Sequence, residues 1–145
     1  AAQPRAAWGW PLAGSPPVLR PFEPPAQRWS PGHRGVDLAA APADAVLAPT
    51  GGVVVFAGWV VDRPVLSITA PDGLRTTLEP VVASVPVGTA VSAGQVVGAV
   101  AGSPLHCGGG SCLHWGVRAG RDRYLDPLLL LAGARAAPPV LLPLG

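Results

Sequence analysis

Lysine is missing from this chain altogether. All ten basic residues are arginine, methionine is absent too, and charged residues make up only 12% of the 145 positions. No lysine side chain is therefore available as an attachment point for a carried group. The arginines are scattered and the net charge is only +2, so no basic run marks a nucleic-acid surface. No apolar stretch reaches the roughly 20 residues of a membrane span. The opening "AAQPRAAWGW" has neither a basic start nor an apolar h-region, so no signal peptide is read there. The Ala, Pro, Gly and Arg bias is what a GC-rich coding sequence produces. Cysteine is scarce, with two residues, Cys107 and Cys112, five apart. That even count and the five tryptophans fit a secreted domain. What remains is 49% apolar, enough for the core of one domain of ordinary size.

Residues 1–28 are rich in proline and aromatic residues, and no periodic pattern survives so many prolines. They are expected to form an extended arm packed on the core, anchored by Trp8, Trp10 and Phe22, with Trp29 just past its end as a further anchor. From residue 46 onward come short runs rich in β-branched residues: "VLAP", "GGVVVFAGWV", "VLSITA", "LRTTLEPV", "QVVGAV" and "LHWGVR". Gly, Pro or Asp bounds most of them, as strands require. "APDGL" at 70–74 reads as a hairpin turn. The best case for a helix is "DPLLLLAGAR", with Asp126 as cap, Pro127 at the first helical position and Gly133 as stop. Residues 132–145 form a C-terminal tail. The expected class is mostly β, one domain, with little helix.

Three constellations could carry chemistry. In "GHRGVDLAA", His33 and Asp37 stand four apart, and both are good zinc ligands. Gly32 and Gly35 would let the loop bend. A His and an Asp in one loop more often make a hydrogen bond or a surface pair. In "CLHW", Cys112 and His114 share one face of a strand, and Leu113 and Trp115 the other. With His33 and Asp37, His114 completes a three-ligand zinc set with one position left open for water. In "VPVGTAVSAGQVVGAVAG", valines and glycines alternate as in the hybrid-motif barrels of biotinyl and lipoyl carriers. Those carriers need a lysine, so that reading is excluded.

The order of these pieces resembles the LytM/lysostaphin-type zinc metallopeptidases of bacterial peptidoglycan. "HRGVD", "GLRTTLEPV", "VPVGTAVSAGQVVGAV" and "CLHWGVR" follow in the family's order, and the match covers about 29–131. The resemblance implies a curved antiparallel sheet with a groove, and Zn²⁺ held on its floor by His33, Asp37 and His114. It implies an extracytoplasmic protein that binds peptidoglycan peptide or a cell-wall hydrolase partner; the chain is expected to be a monomer and to carry no membrane span.

Two family histidines that flank the metal-bound water are replaced. Cys112 stands at the first histidine of H-x-H, and Glu79, in "TLEP", stands where the hairpin strand carries its histidine. Glu79 reads as a general base, as a fourth ligand that would close the site, or as a solvated carboxylate paired with an arginine. Cys112 reads either as a fourth zinc ligand, closing the site, or as half of a disulfide to Cys107 across a glycine-rich loop. The disulfide is the reading taken. His106 could supply an imidazole from that loop or sit on the rim. The expected function is a zinc-binding, peptidoglycan-directed domain impaired in catalysis. The alternatives are an active endopeptidase with Glu79 or His106 as base, and a metal-free interaction domain.

Overall fold

Short β-branched runs, cut by Gly, Pro and Asp, form strands that pair antiparallel among the described residues. The computed structural model describes residues 7–24, 32–102 and 111–131. The first strands are β1 (Val18–Arg20), β2 (Val36–Ala39), β3 (Ala45–Leu47) and β4 (Gly52–Val60). Next come β5 (Arg63–Thr69), β6 (Arg75–Glu79), β7 (Val81–Ala83) and β8 (Ala90–Val91). The last are β9 (Val96–Val100), β10 (Cys112–Ala119) and β11 (Arg123–Leu125). Eight strands make one sheet in the order β1-β2-β10-β6-β5-β4-β8, with β11 also beside β10. A smaller sheet packs β3-β9-β7. This is the mostly antiparallel β-fold the sequence led us to expect.

Period-two alternation decides which face of the large sheet is which. In β6, Thr76 and Leu78 are buried while Arg75, Thr77 and Glu79 are half-buried on the opposite face. In β10, Leu113, Trp115 and Val117 enter the core, so His114, Gly116 and Arg118 share the outer face. Leu38, Leu66, Ile68, Leu78 and Trp115 are fully buried, and each such side chain contributes about 1.5–3 kcal/mol. Thr76, fully buried beside them, has its hydroxyl satisfied. Thr76 Oγ1 accepts from the Trp115 indole N–H at 2.9 Å and donates to the Gly116 carbonyl at 3.2 Å.

The β5–β6 hairpin turns through "APDGL" as expected. Gly73 takes φ +93°, which favours glycine, and Asp72 accepts from the Leu74 amide at 3.1 Å. Ahead of the sheet, Trp8 is buried, and Trp10 packs its ring 6.4 Å from that of Trp115. Phe22 is partly buried against the same core. Trp29, like residues 132–145, lies outside the described residues. The expected helix is shorter than the pattern implied. Asp126 caps it, accepting from the Leu128 amide at 3.1 Å, but Pro127–Leu130 is a 3₁₀ turn. It stops because Leu131 is extended and bridges to Trp8.

Candidate metal centre

β2 and β10 are neighbours, and their register sets His114 directly opposite Asp37. His33 reaches the same spot from the loop just before β2. The three side chains bring one donor atom each to within 4.8 Å of one another. Asp37 Oδ1 is the hub, 2.7 Å from His114 Nδ1 and 3.3 Å from His33 Nε2. The two imidazoles meet edge to face, with ring centres 5.1 Å apart. His33 and Asp37 are almost fully buried, with side chains only 8% and 5% exposed.

The tautomer of His33 follows from its other nitrogen. Nδ1–H donates to the Pro21 carbonyl at 2.8 Å, and a carbonyl can only accept. In the neutral ring Nε2 is then a bare lone pair aimed at a carboxylate oxygen 3.3 Å away. Two acceptors facing each other in a buried site call for a cation between them. A backbone carbonyl orienting the far nitrogen is also the usual support for a metal-binding histidine. Tetrahedral zinc with bonds of ~2.0–2.1 Å spaces its donors by roughly 3.3 Å, the His33–Asp37 separation. The 2.7 Å contact is a hydrogen bond from His114 Nδ1–H. Losing that proton leaves a third donor on the hub, as metal binding demands. The residues fit a zinc ion.

Gly35 is needed for a different reason from the loop flexibility expected of it. A Cβ there would lie 2.5 Å from the Trp115 carbonyl and 2.8 Å from His114 Nε2. The glycine lets the ligand loop close down onto β10.

The remaining expected site residues separate. Glu79 is the other cross-strand neighbour of His114 and faces the same way. Its Oε2 accepts from Arg63 Nε at 3.1 Å, the arginine pairing anticipated as one of its readings. Glu79 is not among the clustered donors. Cys112 opens β10 opposite Ala39 and is buried. It is not a free thiol, and the donor cluster excludes it. The four-ligand site that a Cys112 thiolate would complete therefore does not form among the described residues. His106 and Cys107 lie outside those residues, and the expected Cys107–Cys112 disulfide with them. Tyr124 lies under the Arg34 guanidinium at 5.1 Å.

A groove of about 560 Å³ runs along that face, with His114 and Glu79 at one end and Arg75 and Arg118 at the other. Arg63 is held above its ordinary pKa by the hydrogen bond and charge of Glu79. Residue-by-residue reading overlooked these arginines. The signal was strand parity: 75, 77 and 79 share a face, as do 114, 116 and 118.

Comparison with known proteins identifies the family. Residues 31–127 match the model of Peptidase family M23, and the chain belongs to that family. It is 50% identical over 126 residues to the uncharacterized proteins Rv2891 of Mycobacterium tuberculosis and Mb2915 of Mycobacterium bovis. The match covers 85% of this chain and 51% of theirs, so the chain spans about half the length of these relatives. The solution structure of lysostaphin superposes with a TM-score of 0.69 at 25% identity, over 82% of this chain and 51% of that one. A chain of the SpoIIQ–SpoIIIAH pore-forming complex superposes at 0.71 with 23% identity, over 86% and 90%. At that identity the likeness is one of fold.

Proposed function

We propose that this chain is an extracytoplasmic M23 domain that binds one zinc ion through His33, Asp37 and His114 and takes cell-wall peptide in its groove, but cleaves it poorly or not at all. It acts by binding peptidoglycan or by regulating a cell-wall hydrolase. The observation that carries the reading is what flanks the metal donors. The neighbour of His114 on β6 is a carboxylate tied to Arg63. The residue two before His114 is a cysteine without a free thiol.

Zinc, when bound, supplies a Lewis acid that polarises a carbonyl and lowers the pKa of water. The protein must then supply a base within hydrogen-bond reach. Among the described residues no uncommitted imidazole or carboxylate stands next to the three donors. Glu79 can take up a proton only by giving up part of its hold on Arg63. Cys112, without a free thiol, can shuttle none. His33 positions itself through Pro21, and Asp37 orients both rings.

The test is digestion of purified peptidoglycan by zinc-loaded protein, with metal content measured on the same sample. Stoichiometric zinc without release of soluble peptide supports the reading. Zinc-dependent release overturns it in favour of an active endopeptidase. Protein that takes up no zinc overturns it in favour of an interaction domain.

A further inference from the structure

The end of the groove away from the metal donors holds two guanidinium groups, Arg75 and Arg118, that no carboxylate of the described residues pairs. The carboxylate that lines the groove is Glu79. That carboxylate is taken by Arg63. Arg75 and Arg118 are directly opposite each other on β6 and β10, an arrangement of like charges that destabilises a sheet. No ion pair reaches either of them among the described residues. Arg75 Nε is buried and has no hydrogen-bond partner at all. Burial first, and the charge of Arg118 second, lower the pKa of Arg75. A protein alone gains nothing from two such guanidinium groups side by side. Each presents a planar fork that matches a carboxylate.

We propose that Arg75 and Arg118 form a subsite for a peptide carboxylate, which selects acidic peptides lying along the groove from the metal centre. The proposal rests on the peptide-binding reading above. The span is set by the strand: His114 and Arg118 are four residues apart on β10, or roughly 13 Å at ~3.3 Å per residue. An extended peptide covers that distance in about four residues. Between the two ends the floor is suited to a main chain. Gly116 has no side chain there, and Thr77 and Ser67 place hydroxyls 3.0 Å apart. Tyr124, the cross-strand partner of Arg118, walls the subsite with Arg34 stacked on it. The ligand is thus a peptide with a free carboxylate about four residues from the point over His33, Asp37 and His114.

The experiment is NMR titration of the whole ¹⁵N-labelled chain, read at the arginine Nε–Hε resonances. The probes are acetyl-Gly-Gly-Gly-Glu-amide, its Gln counterpart and inorganic phosphate. The glutamate peptide should bind at least about tenfold more tightly than the glutamine peptide, the difference a charged hydrogen bond makes. The preference should vanish in R118Q and in R75Q. R75K, which keeps the charge but not the fork, should lose most of it and guards against a misfolded R75Q. Equal binding of the two peptides, or no binding of either, overturns the proposal, as does phosphate binding without a peptide preference. Zinc uptake, measured separately with the metal alone, tests the metal centre. Loss of zinc binding with the preference intact refutes the peptidase-type reading and leaves the subsite standing.

Discussion

Alanine at Gly35 tests whether the ligand loop and β10 are fitted to each other. The added Cβ would lie 2.5 Å from the Trp115 carbonyl oxygen, 2.8 Å from His114 Nε2 and 2.9 Å from His114 Cε1. Real Cβ atoms do not approach so closely, so something must move. The carbonyl belongs to the central strand β10, beneath a fully buried Trp115, and cannot retreat easily. The loop must lift, or the His114 ring must swing off Asp37. Overpacking of this kind costs about 1–3 kcal/mol, or roughly 3–10 °C in Tm for a domain of this size. Misplacing one ligand should also weaken zinc binding about 10–100-fold, the scale seen when a ligand loses its support. Thermal unfolding and zinc titration of G35A read both effects. Gly9 is the control: nothing lies within 4 Å of a Cβ placed there, so G9A should stay within about 0.5 kcal/mol of wild type. A G35A protein that matches wild type in both Tm and zinc affinity would refute the close approach.

Other substitutions probe separate parts of the account. E79Q removes the charge that Arg63 grips, which should cost at most about 1 kcal/mol for a partly exposed pair and leave zinc stoichiometry unchanged; metal analysis showing lost zinc would make Glu79 a ligand. T76V keeps the shape of a buried side chain but strips the Trp115 N–H of its acceptor, for a loss of about 1–3 kcal/mol in denaturant unfolding. D126A removes the cap on Leu128 and should cost about 1 kcal/mol. Burial holds the Asp126 carboxyl above its ordinary 3.8, against an opposing hydrogen bond from Leu128. The native state therefore binds that proton more tightly than the unfolded chain, and this group's contribution to stability rises as pH falls through the window just above 3.8. D126N, which keeps an acceptor but cannot ionise, should flatten that part of the pH–stability curve.

Features that depend on local pattern were legible in the sequence. The turn at Asp72–Gly73 and the cap at Asp126 involve neighbours a few residues away. Strand parity put Cys112 and His114 on one face and Leu113 and Trp115 on the other. The grouping of His33, Asp37 and His114 needed more, because 77 residues separate Asp37 from His114; the ordered resemblance to a family supplied it. Contacts set by tertiary packing stayed hidden. Nothing local announces that the Pro21 carbonyl orients His33, that Arg63 reaches Glu79, or that Gly35 makes room for an imidazole. The helix at 127–130 fell short for the same reason. Leu131 pairs with Trp8, a partner more than 120 residues earlier in the chain, and that pairing overrides the local preference for helix.

The central claim is that the metal site is built while the machinery around it is not. It is tested most directly by measuring zinc content and peptidoglycan digestion on one preparation, alongside H33A. One zinc per chain, lost in H33A, with no soluble peptide released by either protein is the expected result. Release of peptide that depends on zinc and on His33 contradicts the claim.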